Sequence, residues 1–110
     1  MPDMKQVTVE RLRISLHGDV QGFGFRPTVY RIADSLRLSG WVRNTTAGME
    51  IEVEGDAERL NKFLAQLTAN RPQAAVITDE EIIRIAPSGS VGFEILISND
   101  ASSAVSVLPQ

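Results

Sequence analysis

The sequence predicts an α+β fold in which two helices pack on one face of an antiparallel sheet. The chain has 110 residues, the size of a single domain. Five segments are predicted to be strands, and in three of them apolar side chains alternate with polar ones, as in half-buried strands. In two other segments apolar side chains recur at helical spacing. These segments follow one another in the order β-α-β-β-α-β with one further strand, so the chain ends in a predicted β-β pair.

The first strand and the first helix flank a loop that contains glycine. Residues 7–17 alternate like a strand, but the phase slips at Glu10–Arg11, which predicts a late start or a bulge. After the loop 18–24, a helix is predicted over 27–38, with Pro27 at its first position, where the missing N–H has no partner to lose. One face of this helix is apolar and carries Phe25, Val29, Ile32, Ala33 and Leu36.

A hairpin is predicted in the middle of the chain. Residues 41–44 form its first strand, residues 45–48 its turn and residues 49–54 its second strand. Glutamates alternate with apolar residues in the second strand, at Glu50, Glu52 and Glu54. We expect these glutamates to form a solvated acidic edge rather than a metal site.

A second helix and two strands complete the predicted fold. The helix spans 57–69 and follows Asp56, which is a suitable N-cap. Its apolar face carries Leu60, Phe63, Leu64 and Leu67. The strands span 75–85, with an irregular middle, and 91–97. The result is a split β-α-β, ferredoxin-like sandwich.

The domain boundary is predicted near the end of the last strand. Residues 1–98 are assigned to the domain. Residues 99–110 are rich in serine and alanine and have no amphipathic period. We interpret them as a linker or tail towards further domains.

Composition excludes several classes of function. The chain has no cysteine, which removes disulfides, thiol nucleophiles and cysteine-bound metals. The net charge of −3 argues against nucleic-acid binding, and Trp41 and the phenylalanines are assigned to the core rather than to a stacking surface. No apolar stretch has the length of a membrane span, and the charged N-terminus is unlike a signal peptide. We expect a soluble, cytoplasmic protein that binds neither nucleic acid nor membranes.

The segment from Gly18 to Pro27 is the strongest candidate for an anion site. Gly22 and Gly24 allow successive backbone N–H groups to point into one concavity, and the following helix adds its positive N-terminal end. Arg26 at this junction offers a planar guanidinium that matches phosphate. The segment matches neither a P-loop nor a dinucleotide fingerprint. The alternative is a structural turn with a surface arginine held in an ion pair.

Two further polar residues are candidates for chemistry. Asn44 ends the strand after the first helix, and its side-chain amide could hold a water or a substrate carbonyl. The alternative is that it only begins a turn, as asparagine often does. His17 is the one histidine and is predicted to face away from the core, which favours a solvated strand residue over a general base.

Two motifs resemble the acylphosphatase family. Val-Gln-Gly-Phe-Gly-Phe-Arg at 20–26 and Gly-Trp-Val-Arg-Asn-Thr at 40–45 carry the resemblance, which covers about residues 9–98. It implies that Asn44 positions the attacking water, and that phosphate is bound by Arg26 together with the loop backbone of Val20, Gln21, Gly22, Phe23, Gly24, Phe25 and Arg26. Phe23 replaces the usual valine and adds bulk beside the phosphate. No cofactor is expected in this domain, because the phosphate itself can accept the proton of the water.

Further residues are similar to the N-terminal domain of the HypF family of carbamoyltransferases, which mature the nickel–iron hydrogenases. These are Pro27, the segment 30–33 and the segment 104–109. The resemblance implies carbamoyl phosphate as substrate, downstream domains in the same chain and a partner of the HypE type. Two alternatives stay open: a free-standing acylphosphatase with broad substrates, and a catalytically silent module that binds anions or other proteins.

Overall fold

Two helices cover one face of a five-stranded sheet, as the alternation of apolar residues predicts. The computed structural model describes residues 8–22 and 24–97. Its elements are β1 (Val9–Asp19), α1 (Phe25–Ser35), β2 (Ser39–Asn44), β3 (Gly48–Asp56), α2 (Ala57–Ala69), β4 (Val76–Ile85) and β5 (Phe93–Ile95). The predicted linker 99–110 lies outside the described residues. None of the helices in the described part of the chain is long and apolar enough to cross a membrane.

The sheet is mixed, with the strand order β4-β1-β3-β2-β5. The pairs β1–β3, β1–β4 and β2–β3 are antiparallel, whereas β5 lies parallel to β2. The prediction of a wholly antiparallel sheet ending in a β4–β5 pair is therefore wrong. β4 and β5 lie at opposite edges because the loop between them is tied to the central strand β3, where the Glu54 carboxylate accepts hydrogen bonds from the N–H groups of Ser88 and Gly89.

The last strand is shorter than its alternation predicts. Of the segment 91–97, only Phe93–Ile95 pairs with β2, and Phe93 is the residue that reaches the core. Val91 and Ile97 are 94% and 85% exposed. The alternation in this segment therefore marks one buried position and not a full strand.

The core lies between the sheet and the helices. It is built from buried apolar residues of both helices and of every strand except β4, among them Ile14, Leu16, Phe25, Val29, Val42, Ile51, Val53, Leu60 and Phe63. From β4, Ile77 packs against this core and is half-buried. Trp41 is not one of them, contrary to the prediction. Because Val42 faces the core, its neighbours Trp41 and Arg43 face the other side of the sheet, where the Arg43 guanidinium lies 4.9 Å from the Trp41 ring centre.

The first helix begins and ends earlier than predicted. Gly24 is its N-cap, which places Pro27 at the third helical position. A proline is tolerated there because its missing N–H would have no partner inside the helix. At the other end Arg37 takes the left-handed conformation, and the N–H of Leu38 donates to the carbonyl of Ala33 at 2.9 Å, which closes the helix after Ser35.

The predicted bulge at Glu10–Arg11 is absent from the register of the described residues. β1 pairs with β3 without interruption from Val9 to His17, and the irregularity against β4 lies between His17 and Gly18. The phase of the apolar pattern changes in the sequence because Val9 is apolar although it does not face the helices. Val9 and Arg11 face the side of the sheet away from the helices, and Arg11 is buried there, with 4% exposure.

Arg11 is the centre of a buried ion-pair network on this side of the sheet. Its Nε and Nη1 atoms each lie 2.8 Å from a carboxylate oxygen, of Glu52 and Glu54 respectively, and Arg13 lies 2.7 Å from Glu52. The prediction that these two glutamates are solvated is wrong. Glu50 is half-buried and pairs with Arg43. Alternation identifies the face of a strand but not what covers that face.

The network lowers the pKa of both buried carboxyls. Burial alone would raise the pKa of Glu52 and Glu54. Hydrogen bonds from Arg13 and Arg11 to Glu52, and from the Ser88 N–H and Arg11 to Glu54, outweigh burial and hold the pKa of each carboxyl below its usual value. The stability that these carboxylates contribute is therefore present above their unfolded-state pKa and is lost as pH falls through the folded-state pKa.

Replacing Arg11 should destabilise the fold in a pH-dependent way. At about pH 7, Arg11→Met should lower the free energy of unfolding by about 3 kcal/mol, because two buried carboxylates lose a partner. At about pH 3 the loss should be much smaller, because the carboxyls are protonated. Urea denaturation at both pH values measures this. Arg84→Met is the control, since Arg84 is largely exposed and its pair with Glu10 should contribute little. An equal loss of unfolding free energy at both pH values would contradict the assignment of Arg11 as the partner of two ionised carboxylates.

Candidate active site

The predicted anion site lies in a pocket of about 310 Å³. Its walls come from the loop after β1, the first turn of α1 and the adjoining ends of β2 and β3. The lining residues are Val20, Gly22, Gly24, Phe25, Arg26, Pro27, Asn44 and Met49. The structure therefore brings together Arg26 and Asn44, two of the candidate residues of the sequence analysis. Met49 is a wall residue that the sequence analysis did not assign to the site.

Two glycines with a left-handed backbone shape the loop. Gly22 has φ 83° and Gly24 has φ 74°, a region that residues with a side chain rarely adopt. Both line the pocket, so their backbone atoms can approach a ligand closely. Phe23, between them, lies outside the described residues, and its effect on the pocket stays a prediction.

The loop is anchored to the core at one side and to the hairpin turn at the other. Val20 is fully buried. The Gln21 side-chain Nε2 donates a hydrogen bond to the carbonyl of Thr45 at 2.6 Å. Thr45 in turn accepts from the N–H of Gly48 through its side-chain oxygen at 3.0 Å. The loop and the segment that carries Asn44 are thus held together. The sequence does not predict this link, because it depends on a contact between the Gln21 side chain and a carbonyl 24 residues along the chain.

The first turn of α1 has no acid of its own. Its N-cap Gly24 has no side chain, and neither aspartate nor glutamate follows in the first turn. The first N–H groups of a helix have no partner within the helix. Those of Phe25 and Arg26 are therefore left for a ligand, whereas Pro27 has no N–H to satisfy.

The second helix of the same chain shows how such a helix end binds a carboxylate. Asp56 is the N-cap of α2, and its Oδ1 accepts the Arg59 N–H at 2.8 Å. Its Oδ2 accepts the Arg59 Nε at 2.9 Å. These bonds lower the pKa of Asp56. α1 begins with the same kinds of donor, backbone N–H groups and an arginine near the N-terminus, but it lacks the acid, so an external anion can take that place.

Arg26 is available for such an anion. It is half-buried at the second helical position, beside the pocket. Within residues 8–22 and 24–97, the ion pairs of arginines with carboxylates involve other arginines. The alternative of an arginine held in a surface ion pair finds no support in this part of the chain.

Asn44 presents a buried acceptor to the pocket. The residue is 6% exposed, and its Oδ1 has no hydrogen-bond partner among the described residues. A buried acceptor without a partner costs about 1–3 kcal/mol, so a small donor such as a water is favoured at this atom. β2 ends at Asn44, which pairs with Met49 of β3, and this pairing fixes the side chain at the pocket wall.

The other candidate residues lie elsewhere. His17 is on the side of the sheet away from the helices, half-exposed and 3.4 Å from Asp79, as predicted for a solvated residue. The three glutamates belong to the ion pairs described above. No cluster of three or more histidines and acids that could hold a metal occurs in the described ranges.

The family model for acylphosphatase matches residues 12–95. The chain belongs to the acylphosphatase family. One relative, the carbamoyltransferase HypF of Rhizobium leguminosarum bv. viciae, is 43% identical over 100 residues, which cover 90% of this chain and 13% of the relative. Another, the acylphosphatase of Thermotoga maritima, is 39% identical over 88 residues, which cover 79% of this chain and 97% of the relative.

Solved structures give the same two groups of relatives. The chain resembles full-length HypF in a phosphate- and nucleotide-bound form, with a TM-score of 0.84 and 30% identity over 90% of this chain and 13% of that one. It also resembles the acylphosphatase of Bacillus subtilis, with a TM-score of 0.71 and 31% identity over 81% of this chain and 99% of that one. The predicted acylphosphatase-like fold is confirmed. The chain matches nearly the whole length of these acylphosphatases but only 13% of these HypF proteins.

Two matched glycine substitutions should distinguish an effect of the loop on phosphate binding from a general effect on stability. Gly24→Ala and Gly92→Ala each place a Cβ in open space at a similar left-handed φ, so each should cost about 1 kcal/mol of stability. Only Gly24→Ala should also weaken binding of inorganic phosphate, by about ten-fold or more, because the strain moves the backbone donors. Urea denaturation and isothermal titration calorimetry measure the two effects. Equal phosphate affinities of the two variants would contradict this assignment of the loop.

Proposed function

We propose that the chain binds and hydrolyses carbamoyl phosphate as the N-terminal domain of a HypF-type carbamoyltransferase in hydrogenase maturation. The observation that carries this proposal is the acid-free first turn of α1, with Arg26 beside it and the unpartnered Asn44 oxygen in the same pocket. Relatives named HypF support the choice of substrate. On this proposal the product passes to later domains of the same cytoplasmic polypeptide and then to a HypE-type partner.

The phosphate group of the substrate occupies the position that Asp56 takes at α2. Backbone N–H groups of Gly24, Phe25 and Arg26 donate to its oxygens, and the guanidinium of Arg26 binds it through two parallel bonds. These donors lie in a pocket that partly excludes water, so they stabilise the negative charge that develops in the transition state.

Asn44 holds the attacking water. The water donates one hydrogen to Asn44 Oδ1, and its oxygen attacks phosphorus. A new P–O bond to the water forms as the bond between phosphorus and the carbamoyl oxygen breaks. The proton of the water passes to a phosphate oxygen, and the products are carbamate and inorganic phosphate. Since an acyl phosphate is already activated, the step needs no covalent nucleophile, and the proposal includes no cofactor in this domain.

A broad acylphosphatase is the second candidate. The match to nearly the full length of free-standing acylphosphatases favours it. The two candidates differ in the ratio of kcat/KM for carbamoyl phosphate to that for acetyl or benzoyl phosphate. A ratio above one supports the carbamoyl phosphate proposal, and a ratio below one supports the broad enzyme. No phosphate release from any of them would leave a silent anion-binding module.

Variants of Arg26 and Asn44 should distinguish phosphate binding from the chemical step of hydrolysis. Arg26→Ala should lower kcat/KM by about a thousand-fold and abolish measurable phosphate binding, because the main positive charge is lost. Arg26→Lys should recover little, because an ammonium cannot form two parallel bonds. Asn44→Ala should lower kcat by about a hundred-fold and leave the dissociation constant of inorganic phosphate within about two-fold of wild type, because the water is held only for the chemical step.

Thermal denaturation serves as the control that each variant is folded. A folded Arg26→Ala protein with normal turnover would overturn the assignment of the site. Loss of phosphate binding in Asn44→Ala would show that Asn44 contacts phosphate, and the role of holding water would be wrong.

A further inference from the structure

A chain of hydrogen bonds lies behind the loop, on the exposed side of α1. The carbonyl oxygen of Gly24 accepts from the N–H of Thr28 at 3.3 Å and from the Thr28 hydroxyl at 3.1 Å. The Thr28 hydroxyl oxygen in turn accepts from Nη2 of Arg31 at 3.3 Å. The three residues thus form one continuous series of donors and acceptors that ends on the first peptide group of the helix.

This series fixes the direction of a backbone donor in the pocket. The Gly24 carbonyl and the Phe25 N–H belong to one planar trans peptide group and point in opposite directions. When the carbonyl is held towards Thr28, the N–H points out of the helix end. Gly24 has no side chain, and a Cβ built on it would meet nothing within 4 Å, so packing at this residue does little to restrain the peptide.

Arg31 acts on this peptide through Thr28. Its guanidinium makes a charge-assisted hydrogen bond to the hydroxyl oxygen, which makes the hydroxyl a stronger donor to Gly24. Within the described ranges, Thr28 is the hydrogen-bond partner of the Arg31 side chain. Neither residue lines the pocket, so neither contacts the phosphate there.

We propose that Thr28 and Arg31 are positioning residues that set the Phe25 N–H for phosphate binding. The proposal rests on the proposed function of the pocket as a phosphate site. It adds two residues that the loop and strand motifs do not contain, and it gives Arg31 a role that depends on the hydroxyl of Thr28 and not only on charge.

The hydroxyl is tested by a pair of substitutions. Thr28→Val removes the hydroxyl and keeps the shape, and it should raise the dissociation constant of inorganic phosphate by about five-fold, with a similar fall in kcat/KM for carbamoyl phosphate. Thr28→Ser keeps the hydroxyl and should behave like wild type. Thr68→Val, an exposed position on α2, is the control for the same substitution on a helix surface and should change neither quantity.

A double-mutant cycle tests the dependence of Arg31 on Thr28. Arg31→Gln should weaken phosphate binding by about three-fold in the wild-type background and should have no further effect in Thr28→Val. Equal effects in both backgrounds would show that Arg31 acts by charge alone and would overturn the proposed series. Wild-type phosphate affinity in Thr28→Val would overturn it as well. If instead the proposed function of the pocket were wrong, Arg26→Ala itself would bind inorganic phosphate with wild-type affinity, which distinguishes the two failures.

Discussion

The candidate site depends on the start of helix α1, whose first N–H groups have no acidic side chain nearby to accept their hydrogen bonds. Most helices satisfy these donors from their own sequence, as α2 does with Asp56. α1 has Gly24 as its N-cap and Pro27 in its first turn, so it offers few donors and directs them outward. An anion from outside the chain is therefore the natural partner, and Arg26 and Asn44 lie where they can bind it and act on it.

The two sides of the sheet contribute to this site in different ways. On the helix side, Val20 and Phe25 bury the two ends of the loop in the core, so the loop cannot move away from the helix. On the other side, the Arg11 network joins β1 to β3 and holds the segment that leads to β5. This keeps the register in which the end of β1 and the end of β2 meet at one pocket.

Periodicity and motif spacing predict much of this molecule and fail where pairing or burial depends on distant residues. Both helices and the central strands follow from periodicity. The meeting of Arg26 with Asn44 follows from the resemblance of their two motifs to the acylphosphatase family. The parallel pairing of β5 does not, because it depends on the Glu54 carboxylate that holds the preceding loop. The burial of Glu52 is also not predictable from the sequence pattern, since alternation cannot show whether the polar side of a strand faces water or an arginine.

On the proposed function, the N-terminus of α1 binds the phosphate of the substrate. The most direct test is a nuclear magnetic resonance titration of the isotope-labelled chain with inorganic phosphate. We expect saturable shifts of the backbone amides of Gly24, Phe25 and Arg26 and of the Asn44 side-chain amide, whereas the amide of Arg59 at the capped α2 should not shift. Shifts at Arg59 and none at Phe25, or no saturable shift at all, would contradict this assignment of the helix N-terminus.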